Sequence, residues 1–439
     1  MRKGFIFNYN KCVNCSACMA SCVLENGWTI NPRTVYTYNS EALSSMPVIN
    51  FSLACNHCNE PVCLKGCPAG SYFREPVTGA IAIDDSKCIG CRYCQWSCPY
   101  DAPKFDDRKR IIFKCNLCSS GLTEGRLPAC TNACPTGALN FGEISVTLPE
   151  NTPEWFPDKQ LGPLIELTGK YNKIPLKIIP EKAFETEVKE SEENGKNITG
   201  EWSLVCFSFL VTLSVSSIVS SLIRGDFPNL YFFIAVIFLS GIVSLLHLGR
   251  ASGAWRSISN LKTSPLSREI AIFIIYSSVS LLAVFLQLPL FLIASSAIGL
   301  IMLAAIDNVY VYAGRNKSLI FHSGQTFLSS LLIISFFTES IIPFIFIALI
   351  KIVLTLIHLV KTRYNDNFPS LRFLRLALLF IAGTSLITGI SYGTRFTGFL
   401  FITGELFDRI NFYYDFKPLN IRTSINDHLI IGKYEEEGG

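Results

Sequence analysis

An α+β amino-terminal domain followed by an all-α integral membrane bundle of about eight helices is the fold this sequence predicts. Three observations predict it. Sixteen of the 17 cysteines lie between Cys12 and Cys134. The long apolar runs all come after residue 200. Between these parts, residues 146–200 are polar, contain proline and end in the acidic stretch EKAFETEVKESEENGKNITG, the composition of a linker. The predicted boundaries are therefore 1–145, a linker over 146–200, a membrane domain over 201–415 and a polar tail over 416–439.

Composition agrees. Of 439 residues, 49% are hydrophobic, and the mean hydropathy of +0.36 is too high for an ordinary soluble protein. A net charge of +4 gives a nucleic-acid partner no support. The start, MRKGFIFNYN, is basic but has no apolar core of signal length, so no secretory signal is expected.

The cysteines fall into four sets. Cys12, Cys15, Cys18 and Cys22 are spaced C-x2-C-x2-C-x3-C. Cys55, Cys58, Cys63 and Cys67 are spaced C-x2-C-x4-C-x3-C and precede Pro68. Cys88, Cys91, Cys94 and Cys98 repeat the first spacing and precede Pro99, while Cys115, Cys118, Cys130 and Cys134 have a longer gap and precede Pro135. Closely spaced thiolates can wrap one loop around three irons of a cubane. The fourth leaves the loop and reaches the neighbouring cluster, as in two-cluster ferredoxins. The second and third sets form one ferredoxin-like pair, and the first and fourth close around it. Four 4Fe-4S clusters follow: Cys12, Cys15, Cys18 and Cys134; Cys115, Cys118, Cys130 and Cys22; Cys55, Cys58, Cys63 and Cys98; and Cys88, Cys91, Cys94 and Cys67. Structural zinc usually joins two separated C-x2-C pairs rather than a triplet plus Cys-Pro. Cysteines this crowded fit a metal framework better than disulfides. His57 reads as a loop hydrogen-bonder and Cys206 as a small apolar residue in a membrane run. Such clusters carry single electrons, so a donor and an acceptor are implied.

Apolar segments follow near 202–223, 229–249, 270–287, 289–309, 321–338, 341–360 and 373–392, each close to the roughly 20 residues that span a hydrocarbon core. An eighth, 396–413, is interrupted by Glu405, Asp408 and Arg409. Connections such as Arg224–Pro228 and Gln287–Pro289 are barely turns, which favours neighbouring antiparallel helices.

The segment CNHCNEPVCLKGCP…CIGCRYCQWSCPYDAPKF…KCNLC…PACTNACPTGAL resembles the iron–sulfur subunit of the dimethyl sulfoxide reductase family of molybdoenzymes over about residues 3–143. Some relatives replace the second cysteine of the third set and hold a three-iron cluster; Cys91 stands there in this protein, implying four cubanes. The resemblance implies a separate catalytic subunit carrying molybdenum bis-pterin. The membrane part resembles the family's anchor subunit through SLLHLGRASGAWRSISNLKTSPLSREI (244–270) and GELFDRINFYY (404–414). The two subunits are usually separate polypeptides, so the fusion is a departure. By this resemblance His247 and Glu269 contact quinol, menaquinol or a similar one, with Arg250 positioning it or balancing charge. Quinol oxidation needs a proton acceptor, which His and Glu supply. The competing reading of these residues is a helix cap and an interface-anchored arginine.

Glu405 and Arg409 are four apart and read as a structural ion pair, with Lys351 pairing to it or snorkelling. His322 and His358 are too thin an inventory for haem, so none is expected. With Lys351 the one clear mid-helix charge outside the eighth segment, an ion-pumping module has little support. Two further readings compete: an anchor without a working quinone site, and the same wire run from substrate to quinone. The favoured reading is a bacterial cytoplasmic-membrane protein with three partners: the catalytic subunit, the quinone pool and the lipid bilayer. A useful quinone site faces the clusters, and the 250–269 loop is expected on that side. Loops there carry nine Lys and Arg against two opposite, placing the cluster domain in the cytoplasm; an exported catalytic partner would instead carry it to the periplasm.

Overall fold

The computed structural model describes residues 2–38, 48–145, 156, 160–169, 202–314, 322–361, 369–388, 394–416 and 421. It divides into two compact units: one of Met1–Lys196, Ser252–Ser264 and Pro418–Gly439, the other of Asn197–Ala251 and Pro265–Lys417.

The first unit is built on β1 (Arg2–Asn8), which lies between β8 (Leu139–Ile144), antiparallel, and β9 (Ile165–Thr168), parallel. Gly4 permits this: a Cβ there would sit 2.3 Å from Ile144 Cδ1 and 2.6 Å from the Leu164 carbonyl oxygen. The other strands form three two-stranded ribbons: β2 (Thr34–Tyr38) with β3 (Ile49–Leu53), β4 (Tyr72–Arg74) with β5 (Ile81–Ile83), and β6 (Lys104–Asp106) with β7 (Ile111–Phe113). Five short helices lie among them: α1 (Ala17–Asn26), α2 (Val62–Gly66), α3 (Tyr93–Ser97), α4 (Ser119–Thr123) and α5 (Ala129–Asn132). Phe7 and Phe51, fully buried and edge-to-face at 5.6 Å, pack with Phe156 and Tyr100 in the core.

Strand β9 corrects the sequence reading, which placed residues 165–168 in the linker. Leu161, Leu164, Ile165 and Leu167 are buried, so the segment gains apolar burial as well as a strand partner. Most of the remaining linker lies outside the described residues. Residues 252–264 also belong to this unit rather than to the helical one, and Ile421 of the tail is part of its core.

The second unit contains eight described helices: α6 (Trp202–Arg224), α7 (Leu230–Leu246), α8 (Pro265–Leu286), α9 (Pro289–Gly314), α10 (Thr326–Phe337), α11 (Ile341–Lys361), α12 (Pro369–Thr388) and α13 (Thr394–Asp415). Four contain stretches long and apolar enough to cross a membrane: Trp202–Arg224, Pro265–Leu286, Pro289–Ala313 and Ile341–His358. Among the described residues the number of such helices is four, or five if α7 and the 3-10 helix Ala251–Ile258 count together as one broken span. Helix α8 starts at Pro265, earlier than the apolar run near 270; proline suits a first helical position, where its missing N–H has no intrahelical partner to lose. Buried Ser216 and Ser330 bridge α6 and α10 at 3.0 Å, a side-chain hydrogen bond between closely packed helices.

Candidate functional site

Sixteen cysteines of the first unit are free thiols, and each set repeats one local geometry. The residue two beyond the first cysteine is left-handed in all four loops: Asn14 (φ 51), His57 (φ 43), Gly90 (φ 69) and Leu117 (φ 63). That reversal curls the loop inward and points backbone N–H groups at sulfur. His57 N–H donates to Cys55 Sγ at 3.4 Å and Leu117 N–H to Cys115 Sγ at 3.4 Å, while Cys88 Sγ also accepts from Ile112 N–H of strand β7 at 3.5 Å.

Each Cys-Pro also makes the same turn. The third residue beyond Cys67, Cys98 and Cys134 is left-handed (Gly70, Asp101, Gly137), and its N–H donates to the cysteine carbonyl at 3.3–3.4 Å. Proline breaks the helix there. Cys22 is followed by valine, and α1 runs on to Asn26.

The sequence-distant thiols meet. Cys18, Cys134 and Cys15 act electrostatically on Cys12, and Cys130 and Cys118 on Cys22. Cys55, Cys98 and Cys63 act on Cys58; Cys91, Cys88 and Cys67 act on Cys94. The groups adjoin in a row: Cys18 reaches Cys22, Cys55 reaches Cys115, and Tyr72 feels both Cys63 and Cys94. Burial, then the neighbouring thiolates, pushes the Cys22 thiol up to about 12; burial holds Cys98 at about 11 and drives Cys63, Cys91 and Cys115 higher still. Such thiols ionise only beside a strong compensating charge, and a coordinating metal deprotonates them outright.

The surroundings fit an iron–sulfur group. Arg33 is 2% exposed, with Nη1 3.1 Å from Ser52 Oγ, while Nε and Nη2 have no hydrogen-bond partner. Burial opposes its charge, but the thiolates of Cys130, Cys115, Cys18 and Cys22 outweigh it and raise the pKa. Free N–H donors among buried thiols match the sulfide acceptors of a cluster. Lys114, also buried, donates to the carbonyls of Ile81 and Cys115. His57 Nδ1 accepts from Ile81 N–H at 3.0 Å, a loop hydrogen bond.

Residues 252–264 seat on the turn at Cys67. Asn260 Nδ2 donates to the Cys67 carbonyl at 2.9 Å, Thr263 Oγ1 to that of Lys65 at 2.9 Å and Ser264 Oγ to that of Gly66 at 2.8 Å. Arg256 Nη1 reaches the Ser86 carbonyl at 2.8 Å.

In the helical unit His247 caps the C-terminus of α7, its Nδ1 buried without a hydrogen-bond partner, and Arg250 follows. Glu269, the fifth residue of α8, is buried. Among the described residues no hydrogen bond joins His247 to Glu269. The charges that act on Glu269 are Arg409 and Asp307.

The expected Glu405–Arg409 pair is replaced. Arg409 instead lies 3.4 Å from Asp307 and donates to Ser208 Oγ and the Gly324 carbonyl, while Glu405 pairs with Lys351. Lys351 is also 3.2 Å from Asp408, which lies 2.8 Å from Arg375. Paired charges inside the bundle are thus several, where the sequence showed one. Asp307, Arg375 and Asp415 were missed, although an ionisable residue in an apolar helix is the signal that finds the first two. Arg33 carries no sequence signal. His322 Nε2 and His358 Nε2 both face Asp415 Oδ2, at 2.9 and 3.1 Å.

Residues 46–144 match the family model of the 4Fe-4S dicluster domain. The protein is 32% identical over 195 residues to the B subunit of sulfite dehydrogenase from Allochromatium vinosum, covering 39% of this sequence and 77% of that one. It is 36% identical over 152 residues to the B polypeptide of anaerobic dimethyl sulfoxide reductase from Haemophilus influenzae, covering 32% and 74%. The Escherichia coli counterpart of that polypeptide is 34% identical over 151 residues, covering 32% and 73%.

Proposed function

Because this protein belongs to the iron–sulfur subunits of the dimethyl sulfoxide reductase family, we propose that it takes electrons from quinol in its helical unit and passes them through four 4Fe-4S clusters to a separate molybdenum bis-pterin subunit. One observation carries the wire: four loops of one geometry whose thiols adjoin in a row. The clusters supply single-electron transfer when bound. Cys12, Cys15, Cys18 and Cys134 would hold one; Cys115, Cys118, Cys130 and Cys22 the next; Cys55, Cys58, Cys63 and Cys98 the third; and Cys88, Cys91, Cys94 and Cys67 the last.

The chain's own residues set the surroundings. Backbone N–H groups and Arg33 stabilise negative charge on sulfur. Asn260, Thr263 and Ser264 fix the Cys67 turn. In the membrane, His247 and Glu269 contact the quinol, Glu269 as its proton acceptor, and Arg250 positions it or balances charge. The protein lies in a bacterial cytoplasmic membrane. The basic loops favour a cytoplasmic cluster domain, and an exported catalytic partner would place it in the periplasm.

Similarity to a sulfite dehydrogenase subunit favours a second reading, in which the wire runs from substrate to quinone. Both readings require Glu269. In membranes containing the full complex, Glu269→Gln is expected to abolish quinol-dependent cluster reduction while dithionite still reduces every cluster. Unchanged quinol-dependent reduction would remove Glu269 from the mechanism.

A further inference from the structure

Strand β3 carries two buried polar side chains, Asn50 and Ser52. They are two residues apart, so they share one face of the strand, and both address the first cysteine loop. Asn50 Nδ2 donates to the Cys12 carbonyl at 2.9 Å, and Ser52 Oγ lies 3.4 Å from Cys18 Sγ. We propose that Ser52, oriented by Arg33, hydrogen-bonds the cluster of Cys12, Cys15, Cys18 and Cys134 and raises its reduction potential, so that this end of the row draws electrons outward. This role rests on the reading of the sixteen thiols as ligands of four clusters.

The direction of the hydrogen bond follows from the chemistry. A cysteine that coordinates iron has lost its proton, so Ser52 is the donor to Cys18 Sγ. The Ser52 oxygen remains free to accept, and Arg33 Nη1 donates to it at 3.1 Å. Hydrogen bonds in a chain polarise one another, so a hydroxyl that accepts from a guanidinium is the stronger donor. Arg33 Nη1 also lies 3.5 Å from the Ser52 carbonyl oxygen, which fixes the fork on this residue. Nε and Nη2 have no hydrogen-bond partner, and among the thiols that act on Arg33 are Cys130, Cys115 and Cys22 of the neighbouring group. An arginine that only propped the strand would have its buried donors paired, because a donor left unmade in the interior is costly. Arg33 therefore serves two clusters, the first through Ser52 and the second through its free donors.

Reduction adds one electron and one negative charge to a cluster and breaks no bond. Hydrogen bonds to the sulfurs stabilise that charge and raise the potential. Cys15 is the exposed cysteine among the free thiols, which puts this group at the open end of the row. Cys134 receives two further contacts there, from Leu139 N–H at 3.4 Å and from the Thr136 hydroxyl at 3.8 Å. The Thr136 contact is exposed, so water competes with it. Ser52 is 1% exposed, and water does not. One electron passing from the Cys115 group to the Cys12 group oxidises the first and reduces the second. A higher potential at the open end favours that direction.

The test is an anaerobic EPR redox titration of membranes containing the full complex, with iron content measured in the same samples. The parent, Ser52→Ala, Thr136→Val, Arg33→Gln and the double variant Ser52→Ala with Arg33→Gln are compared through all four midpoints. Ser52→Ala is expected to lower one midpoint by about fivefold in its reduction equilibrium, about 40 mV at about 59 mV per tenfold for one electron, and to leave the other three in place. Thr136→Val should move the same midpoint by less than about twofold. Arg33→Gln should lower two midpoints, that one among them, and the double variant should lower it by less than the sum of the single shifts. Unchanged midpoints in Ser52→Ala at parent iron content would overturn the proposal. Additive shifts in the double variant would overturn the relay through Ser52, and loss of iron in Ser52→Ala would make its role structural and overturn the proposal as well. If Arg33→Gln fails to hold iron, the midpoints of Ser52→Ala and Thr136→Val decide alone. Fewer than four clusters in the parent itself would overturn the underlying reading of the thiols.

Discussion

In the cysteine-rich unit, Cys91 has Cys67 and Cys88 as its electrostatic neighbours, and each raises its pKa. In the helical unit, Asp408 lies 2.8 Å from Arg375 and 3.2 Å from Lys351. Both groups are buried, but one sits among like charges and the other between opposite ones. The helical unit neutralises its own interior, so its ion pairs can form as the protein folds. The cysteine-rich unit brings sixteen thiols together with Arg33 and Lys114 as buried cations near them, and those thiols ionise only when a coordinating metal compensates their charge. Bound metal becomes folding free energy when the unfolded polypeptide has no preformed site.

Ways to break this comparison follow from the sizes of the two effects. The largest is iron removal. Oxidation and chelation of the full complex should open the cysteine-rich unit to proteolysis between residues 48 and 145 while the helical unit stays resistant; resistance in both would show that the thiols pack without metal. Next is Lys351→Met, which leaves Glu405 and Asp408 buried with a lost partner and should cost about 3–5 kcal/mol. Thermal unfolding in detergent checks it, and adding Glu405→Gln should recover part of the loss. Third, Arg33→Gln removes the buried cation beside two cysteine groups. It should lower the reduction potential of the adjoining clusters by about 60 mV, a tenfold change for a one-electron couple, read by redox titration with cluster content unchanged. Smallest is Asn260→Ala, which removes the donor to the Cys67 carbonyl and should cost about 1 kcal/mol, seen as a small drop in the melting temperature of the cysteine-rich unit.

The same contrast explains what was legible in the sequence. Cluster loops are local: three ligands fall within eleven residues or fewer in the first three sets, so spacing announces them. The long helices are legible because twenty apolar residues have few other solutions. Strand β9 was not, because four residues inside a polar segment give no period to read, and its partner lies over 150 residues away in sequence. The start of α8 was missed because Pro265–Arg268 is not apolar; the helix is extended by proline geometry rather than by burial of an apolar run. The ionic network was misread because spacing on α13 suggested a pair within one helix. Glu405 finds Lys351 on α11, and Arg409 finds Asp307 on α9. Pairing between helices depends on their rotation about their axes, which the sequence of one helix does not encode.

The most direct test of the central claim is an EPR redox titration of anaerobically prepared membranes containing the full complex, with and without a quinol-site inhibitor. The account predicts spectra that integrate to four interacting 4Fe-4S clusters, one of them altered by the inhibitor. Fewer than four clusters, or four that are all indifferent to the inhibitor, would contradict it.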